Sequence, residues 1–487
     1  MTRRSSVAAR RFLLTVPIHR RDLEGHALVA YHLERRHGHE VVFSNVPGLE
    51  EAMLRHAPDV VVLDRIDTRL RVGRLAKSLG MKVALLPTVG FTPGGTEIEA
   101  RRAGKLIPTD RLVDCCFTWG DQARQTVLAH TSLTASQVHT VGCPRFDCYS
   151  EPYLSLVEPR EVLLQRLGLV ATSAPLVVWT TNTYHVRTAD VESTVAGAVA
   201  SGVPEPEIRE HLAHEGTAFR DLADATAAVA RAHPEWNFLI KLHPAETGEP
   251  YRAIAAGAPN IALAGDVRIR DVLYHCDALL ANCSTTATEA WMLGKPVFEV
   301  VFGSYSVAMP PGYLESNYVV RCLSDLDSLL QERLKTPRAP LPESQVRSRS
   351  EFLGRVYHRI DGKASERCAA RLDELVSPAR HTSADQVRVR VACASACSAW
   401  EATAAARFSN RVKAVLGMSR ETSLRFWKPS FWRSRGRPRS PFIWDEAVTP
   451  QMVEPLFAQF DRAHAAPAAG GAGNEVSEPA GIGPGDG

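Results

Sequence analysis

The chain has 487 residues, more than the roughly 250–300 at which one hydrophobic core stops growing, so at least two cores are expected and a single small binding module is excluded. With 45% hydrophobic and 23% charged residues it has an ordinary globular composition, not that of a disordered, collagen-like or coiled-coil chain. A formal net charge of +3, from 57 Lys plus Arg against 54 Asp plus Glu, is too small for nucleic-acid binding by bulk charge, and no nucleic-acid partner is expected.

At the N-terminus, arginines precede the apolar run Phe12–Ile18 in the manner of a secretion signal. His19, Arg20, Arg21 and Asp22 follow at once without a small-residue cleavage site, so this run is predicted to be a buried first strand. Apolar runs such as Val60–Leu63 and Leu176–Trp179 are strand-sized, well short of the roughly 20 residues that span a bilayer. The expected location is cytoplasmic. Ten cysteines occur without a Cys-x-x-Cys pair, and Cys115/Cys116, Cys143/Cys148 and Cys393/Cys397 lack zinc-site spacing. A reduced chain without a structural metal or cofactor is expected.

From Arg11 to about Asp147, β-branched runs alternate with amphipathic stretches, which predicts a parallel sheet with crossover helices. The predicted strands are Phe12–Val16, Glu40–Phe43, Val60–Leu63, Lys82–Leu86, Val113–Phe117 and Val138–Val141, with helices at Leu23–Arg36, Leu49–Arg55 and Leu70–Leu79. This defines a Rossmann-like domain over residues 1–148. Residues 149–174, with Pro152 and Pro159, read as a linker carrying one short helix at Arg160–Leu167.

The strand pattern restarts with Leu176–Trp179, Asn237–Lys241, Ile261–Ala264, Ala278–Ala281 and Val297–Val300, separated by helical stretches that include Thr217–Ala232 and Thr285–Leu293. Helices follow at Leu323–Leu334, Val346–Ile360 and Ala364–Val376, so a second Rossmann-like domain is expected over 175–376. Residues 377–464 read as a helical extension, and the Ala/Gly/Pro-rich residues 465–487 as a disordered tail. The fold class is therefore α/β, with two Rossmann-like domains and a C-terminal helical extension.

The sharpest motif is Asn237-Phe-Leu-Ile-Lys241-Leu-His243-Pro244, an apolar strand that ends in Lys and His before a proline that cannot continue the ladder. Residues two apart share a face, so Lys241 and His243 are expected on one side at the carboxyl end of a parallel strand, where ligands bind. Ammonium and imidazole there suit a phosphate; the competing reading is a histidine bonded to a loop carbonyl. In Ala281-Asn-Cys-Ser284-Thr285-Thr286-Ala-Thr-Glu289, a strand leads into a helix rich in hydroxyls. Ser284, Thr285 and Thr286 could hold an anion, or Ser284 or Thr285 could simply cap the helix. Glu289 could accept from ribose hydroxyls or merely complement the helix dipole. Asn182, in Thr180-Thr181-Asn182, and Arg145, in Gly142-Cys-Pro-Arg145-Phe-Asp147, stand at further strand ends. Arg145 is either a phosphate clamp or the partner of Asp147 in a turn.

Together, Lys241-Leu-His243-Pro244, Ser284-Thr285-Thr286 with Glu289, Gly294-Lys295-Pro296 and Asp361-Gly-Lys-Ala-Ser365 give a chain that resembles GT-B glycosyltransferases over roughly residues 10–376. More narrowly it resembles bacterial surface-carbohydrate and capsule proteins related to sialyl-, Kdo- and glycerophosphate transferases. The resemblance implies that His243, Ser284 and Thr285 hold the phosphate of a CMP- or CDP-linked donor. It also implies an acceptor-side loop at Arg20-Arg21-Asp22-Leu-Glu24-Gly25, whose acids could deprotonate an acceptor hydroxyl. Relatives often carry an acid soon after the fourth strand, where this chain has Pro87-Thr88-Val89-Gly90. Asp22, Glu24, Glu97 and Glu99 remain as candidate bases.

The segment Arg425–Arg439 mixes six cations with Phe and Trp and holds no acid, which suits an anionic membrane surface or, equally, a packed aromatic extension. The expected activity is a metal-independent, inverting transfer of a sugar or polyol-phosphate from a CMP- or CDP-activated donor to a glycan or lipid-linked acceptor, with the protein cytoplasmic or peripheral on the inner membrane face. Two alternatives are a nucleotide-sugar 2-epimerase-like enzyme and a catalytically silent, membrane-associated assembly protein.

Overall fold

The computed structural model describes residues 9–66, 69–88, 112–169, 173–183, 190–200, 203–244, 246–303, 310–336, 339–377, 382–401 and 448–465. Two six-stranded sheets are present, and every strand pairing in them is parallel. The first sheet holds β1 (Arg11–Thr15), β2 (Glu40–Ser44), β3 (Val60–Leu63), β4 (Lys82–Leu85), β5 (Cys115–Thr118) and β6 (Val138–Thr140), in the order 2-1-3-4-5-6. The second holds β7 (Leu176–Thr180), β8 (Asn237–Lys241), β9 (Ile261–Ala264), β10 (Ala278–Ala281), β11 (Val297–Val300) and β12 (Tyr318–Val320). Its order is 12-11-10-7-8-9, which counted within the domain is the Rossmann order 3-2-1-4-5-6 reversed. Strands such as Val60–Leu63 and Leu176–Thr180 are buried along their whole length, as runs covered by helices on both faces must be.

The strand positions expected from the sequence are found to within two residues at either end, and β12 is an addition. Three residues after Asn317 are too short to set a period of their own; β12 is specified by pairing with β11, Phe298 opposite Tyr318. The segment expected as an acceptor-side loop after β1 is instead the start of the helix His19–Arg35. Asp22 explains it, since its carboxylate accepts from the Ile18 backbone N–H at 3.2 Å and from Arg21 Nε at 2.7 Å, closing the first turn. The helix expected to include Thr217–Ala232 runs back to Glu205.

Beyond the second sheet the chain returns to the first. Helix Ala364–Leu375 places Cys368, Ala369 and Leu372 in the core cluster that contains Phe12 and Leu14. Its amino end is held by Asp147, whose carboxylate accepts from Ala364 N at 2.8 Å, Ser365 N at 2.7 Å and the Ser365 hydroxyl. Helix Ser383–Glu401 adds Val389 and Cys393 to the core on the other face of that sheet. Helix Pro450–Ala465 packs Val453, Phe457 and Phe460 beside His19–Arg35, and Asp461 accepts from Tyr31 at 2.9 Å and Arg35 at 3.0 Å. Gly25 brings His19–Arg35 against the turn Pro144–Tyr149: a Cβ there would lie 2.7 Å from the Arg145 backbone N, so only glycine lets the two approach. The basic segment 425–439 lies outside the described residues, as does the expected tail 465–487 apart from Ala465, which ends helix Pro450–Ala465. Among the described residues, no helix is long and apolar enough to cross a membrane.

Candidate functional site

A cleft of about 480 Å³ lies between the two domains. Its floor follows from the topology, because β7 and β10 flank the point where the strand order of the second sheet reverses, and ligands of open parallel sheets bind outside the carboxyl ends there. Thr180 and Lys241 are paired at the ends of β7 and β8. Thr180, Thr181, Lys241, His243, Thr285 and Thr286 all line the cleft from this domain. The first domain contributes Arg20, Arg21, Glu24, Thr88, Trp119 and Arg145.

His243 stands two residues past β8, with its backbone N–H donated to Thr181 Oγ1 at 2.8 Å. Lys241 and His243 reach the same cleft, but so does the intervening Leu242, because β8 ends at Lys241 and strand alternation does not extend to His243. The Lys241 ammonium is buried and donates to the carbonyls of Leu242 at 2.7 Å and Gly265 at 3.2 Å. Burial first, and the neighbouring Arg20 second, pull its pKa down to about 8. The charged amine favours a bound anion, which in turn raises its pKa. An anion held against this ammonium is therefore expected to bind with level affinity below pH 8 and more weakly as the pH rises through it. The Kd of CDP, followed by calorimetry from pH 7 to 9.5, is expected to rise about three- to ten-fold in the wild type and to lose this step in Lys241→Met.

The loop from β10 to helix Thr286–Met292 is held from beneath. Cys283 has φ of 48°, in the left-handed region, and donates its N–H to the buried Glu299 Oε1 at 2.6 Å. The Tyr313 hydroxyl donates to the Ser284 carbonyl at 3.0 Å and accepts from Ser284 N–H at 3.1 Å. Ser284 is buried and absent from the cleft lining; its hydroxyl accepts from Thr286 N at 3.2 Å, the capping alternative left open by the sequence. Thr285 and Thr286 are the members of the run that line the cleft.

Glu289 and Arg145 also line the cleft and meet across the domains, 3.6 Å apart, and the Tyr149 hydroxyl donates to Glu289. The Arg145 guanidinium lies 4.9 Å from the Phe146 ring centroid and 5.9 Å from that of Trp119. The turn pair with Asp147 is replaced, because Asp147 is committed to helix Ala364–Leu375. Asn182 is not part of the lining; its amide donates to the Asn282 carbonyl at 2.8 Å and ties two strand-end loops together. Of the candidate bases, Asp22 is buried and borders a smaller cavity of about 20 Å³ beside the cleft. Glu97, Glu99 and Val89 lie outside the described residues. Glu24 faces the cleft, with Oε1 3.0 Å from Arg270 NH1 of the other domain.

Sequence reasoning passed over Arg268 and Arg270, which line the cleft just past β9. Their position in Gly265-Asp-Val-Arg268-Ile-Arg270, after a strand adjacent to β8, is the signal that could have found them. Six cations (Arg20, Arg21, Arg145, Lys241, Arg268 and Arg270) thus line the cleft. The five arginines are ion-paired, with Asp266, Asp22, Glu289, Asp271 and Glu24, whereas the Lys241 ammonium is held by carbonyls, a setting that suits an anionic ligand. Among the described residues, no group of three or more His, Cys, Asp or Glu side chains could hold a metal ion.

Fold and cleft together define the class as a GT-B arrangement: two Rossmann-like domains facing each other, with the chain crossing back to the first. Comparison with solved structures gives distant likenesses. MnaA of S. aureus, solved with UDP, is 13% identical, with a TM-score of 0.49 over 76% of this chain and 97% of that one. A putative UDP-N-acetylglucosamine 2-epimerase from Listeria monocytogenes is 14% identical, with a TM-score of 0.48 over 76% and 96%. The wall teichoic acid polymerase TagF, solved after a CDPG soak, is 11% identical, with a TM-score of 0.45 over 75% and 88%. No protein-family model matches the chain. A search of curated proteins finds no match.

Proposed function

We propose that the protein is a glycosyltransferase-type enzyme that moves a sugar or polyol-phosphate group from a nucleotide-activated donor, CMP- or CDP-linked, to a hydroxyl of a glycan or lipid-linked acceptor. The observation that carries this reading is the convergence of His243, Lys241, Thr285 and Thr286 from one domain, and Glu24 from the other, on a single cleft. In the proposed step Glu24 removes the acceptor hydroxyl proton, the oxygen bonds to the transferred group, and the bond to the donor phosphate oxygen breaks. The electron pair leaves on that phosphate, where His243, Lys241 and the threonine hydroxyls stabilise the developing charge. A single displacement of this kind inverts the reacting centre.

Titration of CMP, CDP and UDP against wild type and His243→Ala tests the phosphate role. CDP is expected to bind the wild type with measurable heat and the variant at least ten-fold more weakly; cytidine preference follows if CDP also outbinds UDP. Equal CDP affinities in wild type and variant would remove His243 from phosphate recognition. Consumption of donor with no acceptor present, yielding an epimerised nucleotide sugar, would replace transfer by epimerisation.

A further inference from the structure

Helix Pro450–Ala465 lies beyond the second Rossmann-like domain, yet it reaches the cleft. Val453, Phe457 and Phe460 form its buried stripe. Met452 and Leu456, one turn apart and offset by one position from that stripe, are only half-buried; they pack against the core cluster containing Leu23 and also line the cleft. Leu23, Val267 and Ile269 add further apolar side chains to the same lining. A transferase cleft needs cations and hydroxyls for its phosphate. An apolar wall supplied by a helix at the far end of the chain has no part in that.

A cleft of about 480 Å³ is of the size that takes a small molecule, and a small molecule is the occupant assigned to this wall. The Lys241 ammonium and the Thr285 and Thr286 hydroxyls lie in the same concavity, so the ligand that satisfies both features is an anionic amphipath. We propose that Met452 and Leu456 form the acceptor subsite wall that receives the apolar chain of a phosphate-bearing, lipid-linked acceptor. This rests on the transferase reading and assigns to the helical extension the choice of acceptor.

The test uses the full chain and two soluble probes, hexyl phosphate and methyl phosphate, titrated by calorimetry with intrinsic tryptophan fluorescence as a second readout. The wild type is expected to bind hexyl phosphate at least ten-fold more tightly than methyl phosphate, and the double variant M452S/L456S to reduce that ratio below three-fold. Should the double variant not fold by circular dichroism, L456S alone is expected to lower the ratio by at least half. Phe460→Leu, which weakens the packing of the same helix without lining the cleft, is expected to keep the wild-type ratio. A wild-type ratio below three-fold, or a ratio unchanged in the folded M452S/L456S or L456S protein, overturns the proposal. A parallel CDP titration separates the two failures: CDP binding without a chain-length effect sinks only the acceptor wall, whereas absence of CDP binding sinks the transferase reading.

Discussion

Replacing Asp147 with alanine is expected to lower stability by about 3 kcal/mol, because two backbone N–H groups and a hydroxyl at the start of a buried helix lose their acceptor at once. The helix concerned, Ala364–Leu375, is the segment by which the chain, having built the second sheet, returns to the core of the first. Asp147 and Ser365 are both buried, so water cannot replace the lost acceptor without opening the packing. In a domain of this size the loss corresponds to a fall of roughly 6–12 °C in the melting temperature of the first domain. Differential scanning calorimetry measures it. Asp147→Asn, which keeps one carbonyl oxygen but turns an NH2 toward the remaining donors, is expected between wild type and alanine. A change below about 0.5 kcal/mol in Asp147→Ala, the range of ordinary surface substitutions, would mean that the crossing helix is held by its apolar face alone.

Glu24→Gln is expected to lower kcat about 10²- to 10⁴-fold, the usual contribution of a positioned general base, with nucleotide affinity unchanged within three-fold. Glutamine preserves the shape and can still accept from Arg270, now 3.0 Å from the carboxylate, but it cannot take up a proton at neutral pH. A purely structural role in joining Glu24 to Arg270 would instead weaken nucleotide binding and stability while sparing kcat. Single-turnover transfer rates together with CDP titrations separate these outcomes; kcat within three-fold of wild type would remove Glu24 as the base. Asp22→Asn is the comparison, expected to act on the first turn of helix His19–Arg35 through the Ile18 and Arg21 contacts.

What could be read in the sequence follows from how local each signal is. Runs such as Asn237–Lys241 and Ala278–Ala281 declare buried parallel strands by composition, and the ends of those strands then locate Lys241, His243, Thr285 and Thr286. The same logic fails where a side chain is used by a distant partner. Ser284 and Asn182 stand at correct strand ends but are spent on Thr286 and Asn282, holding the loops that present the cleft. Asp147 stands two residues from Arg145 but turns away from the cleft to serve a helix 217 residues away. Arg270 finds Glu24 246 residues away, and Met452 reaches the cleft only because helix Pro450–Ala465 docks beside His19–Arg35. These pairings are decided by tertiary packing and leave no period or spacing in the chain.

The most direct measurement is a crystal structure of the protein with CDP bound. The terminal phosphate is expected in the interdomain cleft, within hydrogen-bonding distance of the His243 imidazole and of a Thr285 or Thr286 hydroxyl, with Glu24 facing the open side of the phosphate. A nucleotide seated outside this cleft, or with its phosphates turned away from both His243 and the two threonines, would contradict it.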